Sequence, residues 1–362
     1  MQRSFRPRDL HHRARNRLAL ADHGFTWVGI ERIPTAFGMA VRGQACVEYF
    51  IPAELTQPWP IVMLHGGGGQ STDYLGTPDG RPGWAYHFIR AGYAVYLLDR
   101  PGLGRAPNHE ACLGPMSPPG TYEFISEWFA NPAAHPERYP QAHLHSQWPG
   151  SGIVGDPTLD QFMAGTGPSP ADLPTAHQLA QRAGAELLDH IGPSILVTHS
   201  AGGPCGWMVA DARPQLIKSI IAVEPFGPPF AQRGPNVLHW GLTAAPLGYL
   251  PPAANAEDLK RELRPAPRSG TVPCWVQSQP ARQLPNLQGY PIVVVTAQAS
   301  WMATDNHGTV DYLRQAGAQV EHLRLEDHGI HGNGHAMMLE KNSDDIARLL
   351  QAWIVRQGLA TD

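Results

Sequence analysis

A chain of 362 residues with 42% hydrophobic and 16% charged residues can bury a substantial core, and its formal charge of −4 provides no general attraction to nucleic acid. No apolar run approaches the length that spans a bilayer, and four cysteines, at 46, 112, 205 and 274, have neither C-x-x-C spacing nor the density of a disulfide scaffold. The 38 Gly and 36 Pro imply long irregular connections around a compact centre.

The first twenty residues hold six Arg and one acid, Asp9, so residues 1–22 are expected to form a basic, solvated arm. That arm lacks the continuous apolar region of a secretory signal, which points to the cytoplasm, with periplasmic or secreted settings left open. Phe25 to Ile30 and Ala45 to Ile51 read as an antiparallel pair of strands. From Pro60 the pattern changes to strand, helix, strand: Ile61 to Leu64, a helix carrying Trp84, Phe88 and Ala91, then Ala94 to Leu98. The stretch from about 105 to 170 is rich in Pro, Gly, His and aromatics, including Trp128, Phe129, Tyr139 and Trp148, and reads as a functional insertion. Leu179, Ala183, Leu187 and Ile191 then mark a helix that Gly192 closes, followed by a short buried strand, Ile195 to Val197. Another strand, Ile217 to Val223, precedes a second aromatic insertion at about 226–289 with Phe230, Trp240, Tyr249 and Trp275; together the two insertions suggest a lid. Ile292 to Val295, Thr309 to Gly317, Val320 to Leu325 and a final amphipathic helix around Ile346 to Ile354 complete one α/β domain spanning 23–362. Cys112 and Cys274 both fall in the irregular segments, where a bridge between them is conceivable.

The chemistry-bearing residues sit at strand ends. Thr198-His-Ser-Ala-Gly202 follows the Ile195 strand and precedes a helix-compatible segment, which would present Ser200 beside backbone N–H groups; a plain helix cap is the other reading. Acyl transfer through a serine also requires a base, a group to orient it, and donors for the oxyanion. Asp327-His-Gly-Ile-His-Gly-Asn-Gly-His335 follows the last strand and offers His328, His331 and His335; the glycines and an expected position at the start of the final helix favour His335. The H-x-x-H-x-x-x-H spacing also allows a metal, but neither a Cys nor a carboxylate set completes a zinc pattern, so no metal or cofactor is expected. His65-Gly-Gly-Gly-Gly69 makes the Gly67 N–H, with that of Ala201, the candidate oxyanion hole. For the orienting acid, Glu224 at the end of an apolar strand stands slightly ahead of Asp305 and Asp327, because a carboxylate there demands a partner.

Thr-His-Ser-Ala-Gly, the four-glycine loop and Gly-Asn-Gly-His, in the order Ser, acid, His, resemble the α/β-hydrolase superfamily. Within it, Thr77-Pro-Asp-Gly-Arg-Pro-Gly-Trp84, Val223-Glu-Pro225 and Gly332-Asn-Gly-His-Ala-Met-Met338 look like a group of bacterial serine carboxylesterases whose acid is a Glu ending strand six. The resemblance implies a mostly parallel sheet with helices on both faces, and Ser200, His335 and Glu224 as a triad with Gly67 and Ala201 as oxyanion donors. It implies a cofactor-independent esterase or lactonase; the aromatic content of the insertions points to a small, apolar or aromatic ester as substrate, with lid packing the other reading of those aromatics and a homodimer left open. A lyase or a small-molecule binding protein on the same fold is the alternative. One departure stands out: Thr198 occupies the first glycine position of the G-x-S-x-G turn.

Overall fold

The computed structural model describes residues 17–361, so most of the expected basic arm lies outside the described residues, while Leu20 to Asp22 already belong to the first strand. Eight strands form the central sheet: β1 Leu20–Val28, β2 Ala45–Pro52, β3 Ile61–Leu64, β4 Val95–Asp99, β5 Ser194–His199, β6 Ile217–Val223, β7 Ile292–Thr296 and β8 Val320–Arg324. Their spatial order is β1-β2-β4-β3-β5-β6-β7-β8. From β4 to β8 all neighbours run parallel, whereas β1 pairs antiparallel with β2 and β2 antiparallel with β4. The helices used below are α1 Trp84–Arg90, α2 Pro157–Ala164, α3 Leu173–Ile191, α4 Gly202–Ala212, α5 Asn306–Gln315 and α6 Ser343–Arg356.

The period of two in the strands divides the core. Val62, Leu64, Leu196, Ile220, Ala222 and Val294 face one side, against Ala183 and Leu187 of α3, Trp207 of α4 and Leu313 of α5. Their neighbours Ile61, Met63, Ile195, Val197, Ile221 and Val293 face the other, against Phe88 of α1 and Leu350 and Trp353 of α6. Each such fully buried aliphatic side chain contributes about 1.5–3 kcal/mol, and strands apolar on both faces are what a parallel sheet clad in helices requires. The β5 strand sits between β3 and β6, so its carboxyl end opens at the middle of the sheet, where ligands bind in open α/β folds.

Two expectations change. The aromatics of the second insertion do not all face outward as a lid: Phe230 and Tyr249 are buried in the core beside Tyr312 and Trp240 packs against the same cluster, whereas Trp275 is 36% exposed. Apolar surface left uncovered above α4 and α5 is thereby filled, which accounts for the aromatic content. Cys112 and Cys274 are free and buried; Cys112 lies in a helical turn at Glu110–Leu113, and Cys274 starts a strand at Cys274–Gln277, its thiol directed to the Asp305 carbonyl.

Candidate active site

Between the end of β5 at His199 and the start of α4 at Gly202, Ser200 makes the turn with φ of 51°, a left-handed conformation that costs a side-chain-bearing residue about 1–3 kcal/mol. The surroundings hold it there. Its N–H donates to the Val223 carbonyl at 3.1 Å, and its own carbonyl accepts from the N–H groups of Gly203 and Phe226, each at 2.8 Å. A Cβ on Gly202 would lie 2.7 Å from the carbonyl oxygens of Leu64 and His65, and one on Gly203 only 2.5 Å from Cβ of Pro225. Gly206, one turn into α4, accounts for Thr198: a Cβ there would come within 2.6 Å of the threonine Cγ2. The bulk absent at 206 is the space the β-branched residue occupies.

His335 and Glu224 complete a hydrogen-bonded chain with Ser200. Nε2 of His335 is 2.9 Å from Ser200 Oγ, and Nδ1 is 2.5 Å from Glu224 Oε2. Glu224 follows β6 directly, has φ of 42°, and is fully buried. Ala297 N–H donates to its Oε1 at 2.8 Å and Ser300 Oγ to its Oε2 at 2.6 Å, so both oxygens are satisfied. These two donors, from the segment after β7, escaped the sequence reading; a buried carboxylate ending β6 needs partners from the adjoining strand end, and that is where they lie. Burial pushes the Glu224 carboxyl up, to about 8, against the pull of Ser300 and Ala297. Burial, then the charge of Arg233, pushes the His335 imidazole down, to about 3. Neither charge is favourable alone in so dry a place, and an imidazolium formed by taking a proton from Ser200 is stabilised by the adjoining carboxylate.

A pH dependence follows from titration of the pair. If His335 is the base, the working pair is a neutral imidazole beside an ionised Glu224, a buried net charge of −1 that one added proton neutralises; burial therefore favours the protonated pair, raising Glu224 while it lowers His335. The acid limb of kcat/KM for a p-nitrophenyl ester is therefore expected above the ordinary histidine value of about 6.5, and a limb below that value would contradict the burial argument.

His335 does not sit at the start of α6, which begins only at Ser343; it belongs to a loop held from two sides. Glu340, fully buried, accepts from Gly334 N–H at 2.9 Å, from Asn333 Nδ2 at 2.7 Å and pairs with His145 of the first insertion at 2.7 Å. On the other side, Arg81 donates to the carbonyls of Glu340 and Lys341 at 2.9 and 3.0 Å, and Trp84 Nε1 to that of Ser343 at 2.9 Å. The Thr77 to Trp84 motif is thus a clamp on the histidine loop.

The glycine loop after β3 is braced from below. His65 Nδ1 lies 2.8 Å from the Gly66 carbonyl and its Nε2 accepts the Arg100 N–H at 3.1 Å, which fixes the tautomer. Arg100 Nη2 donates to the same Gly66 carbonyl at 2.7 Å. A Cβ on Gly67 would be 3.4 Å from Cβ of Ala201, so the two candidate oxyanion donors are neighbours, and neither N–H donates to another protein group among the described residues.

The first insertion and the segment after β7 supply the walls. Phe129 and Trp301 place their rings 5.4 and 5.0 Å from His335, and Trp128 packs 5.0 Å from Trp301 and 5.8 Å from Tyr139. Trp301 was not singled out in the sequence; its position five residues beyond β7, beside Ser300, is the signal that could have found it. Two cavities, of about 840 and 510 Å³, are lined by other residues, the first around Arg233, Arg261 and Trp275 and the second around Asp73 and Phe162.

The competing assignments find other partners. Asp305 pairs with Arg233 at 2.6 Å, and exposed Asp327 pairs with Arg324 at 2.6 Å. His328 is exposed, and His331 meets Gln298 at 3.3 Å. Among the described residues no group of three or more His, Cys, Asp or Glu could hold a metal ion.

Residues 60–261 match the family model of the α/β-hydrolase fold, and the chain belongs to that family. A fungal protein (Fungal sp.) described as a probable secreted lipase is 44% identical over 315 residues, covering 86% of this chain and 85% of its own. The solved structure of a bacterial esterase superposes with a TM-score of 0.60 at 20% identity, covering 94% of this chain and 97% of the other, which is a likeness of fold.

Proposed function

We propose that the chain is a carboxylic ester hydrolase that works through an acyl-enzyme on Ser200. The observation that carries this is the continuous chain from Ser200 Oγ to His335 at 2.9 Å and on to Glu224 at 2.5 Å, next to two N–H groups with no acceptor among the described residues. Ser200 Oγ attacks the ester carbonyl carbon as His335 Nε2 takes its proton; the carbonyl oxygen becomes an oxyanion facing the N–H groups of Gly67 and Ala201. When the tetrahedral adduct collapses, the C–O bond to the alcohol breaks and His335 gives its proton to the leaving oxygen. Water repeats the sequence in reverse, with His335 as base, and releases the acid and Ser200.

The relative's description as a lipase supports an ester substrate, and the aromatic wall of Phe129, Trp128 and Trp301 supports an apolar or aromatic group on a small molecule. Residues 23–362 are read as one domain. The same relative is described as secreted, which favours an exported setting over the cytoplasmic one expected from the sequence; no helix among the described residues is long and apolar enough to cross a membrane.

An organophosphonate serine probe with peptide mapping tests the proposal. Labelling at Ser200, hydrolysis of p-nitrophenyl esters, and loss of both in Ser200→Ala are expected; turnover surviving in Ser200→Ala would sink it.

A further inference from the structure

We propose that Arg100 is a positioning residue that acts electrostatically through the Gly66–Gly67 peptide group, making the Gly67 N–H a stronger donor to the oxyanion. The inference rests on the Ser200 reading above. Arg100 directly follows β4, is buried at 7% exposure, and directs Nη2 to the Gly66 carbonyl at 2.7 Å. That carbonyl and the Gly67 N–H are two ends of one conjugated amide. A cationic donor on the oxygen draws electron density along O–C–N, so the N–H at the far end becomes more positive and hydrogen-bonds more strongly.

The charge of Arg100 is not consumed by another partner. Among the described residues no carboxylate forms an ion pair with it; the neighbouring Asp99 turns instead to Arg105 Nε and Ser71 N–H, each at 2.7 Å. The other titratable groups around it are uncharged near neutrality: burial holds His65 and His177 down, to about 3, pushes His199 below its usual value and raises the Cys205 thiol. A buried guanidinium without a carboxylate is costly, and a brace alone would not require one, since His65 already contacts the same carbonyl at 2.8 Å. What only the guanidinium adds is a permanent positive charge in line with the oxyanion donor.

The test compares an ester with its thionoester, in which sulfur replaces the carbonyl oxygen and accepts the oxyanion-hole hydrogen bonds poorly. In Arg100→Met, kcat on the oxygen ester is expected to fall about tenfold or somewhat more, since a donor is weakened rather than removed. KM should stay within about twofold, and the oxygen-to-sulfur rate ratio should fall with kcat. Arg100→Lys, which retains a cation of shorter reach, should show the same coupled fall at about threefold, and carries the test if Arg100→Met does not fold. A drop in kcat or melting temperature with the ratio unchanged in the folded variants would make Arg100 a brace only and overturn the proposal. Turnover in Ser200→Ala, measured alongside, would instead mark failure of the underlying reading.

Discussion

Replacing Glu224 with Gln is expected to lower kcat for ester hydrolysis by about 10⁴-fold, while Asp305→Asn stays within about threefold. The carboxylate accepts from His335 Nδ1 at 2.5 Å, which forces the proton onto Nδ1 and leaves Nε2 free to receive one from Ser200. A glutamine of the same shape presents either an amide oxygen or an NH₂ at that point; because the Ala297 N–H can only donate, it holds the amide oxygen at the Oε1 position, which places the NH₂ at the Oε2 position facing the imidazole, where the Ser300 hydroxyl can turn to accept from it. Nδ1 must then accept, the tautomer reverses, and Nε2 carries a hydrogen toward Ser200. Asp305 is salt-bridged to Arg233 and makes no hydrogen bond to His335. Steady-state kinetics of the two variants, with circular dichroism to verify folding, decides; activity lost with Asp305 and kept without Glu224 would overturn the assignment of the acid.

A second large effect is expected at Gly202. The added methyl of Gly202→Ala would stand 2.7 Å from two carbonyl oxygens, those of Leu64 and His65, which belong to the end of β3 and the root of the oxyanion loop. Neither is the tip of a flexible side chain, so relief requires moving backbone. A loss of about 2–3 kcal/mol in denaturant unfolding is expected, together with a fall in kcat from displacement of the loop that carries Gly67. Gly206→Ala provides the contrast, because its clash is with a methyl of Thr198. Combining it with Thr198→Ser should recover most of its cost, a coupling that additive losses would exclude. Gly202→Ala with unchanged stability and rate would show that the turn is looser than these contacts imply.

Much of this molecule is legible in the chain because its periodicities are strong. Ile61 to Leu64, Ile195 to Val197 and Ile292 to Val295 are apolar at every position, and only a sheet covered on both faces accommodates that pattern. The nucleophile turn and the glycine loop are short and local, so spacing alone presents them. The parts that were not legible depend on contacts between distant segments. Ser300 and Trp301 lie in a stretch without periodicity, and the partners of Glu340 come from residues 145, 333 and 334. The inward packing of Phe230 and Tyr249 was hidden for a related reason: an aromatic residue in an irregular segment can cover a site or fill a core, and composition does not distinguish the two.

The strand that carries Glu224 has a consequence for how this architecture can diversify. On the proposed assignment, nucleophile and acid leave adjoining strands, so their separation is set by the spacing of about 4.8 Å between neighbours in the sheet, and Ser200 is tied directly to Val223. The segment after β7 then does not have to bear the acid. It grips Glu224 from outside through Ala297 and Ser300 and turns the next residue, Trp301, to the wall around His335. On that assignment the reacting groups and the aromatic wall leave separate strand ends, so a substitution at position 301 would change the wall while Ser200, His335 and Glu224 stay in place.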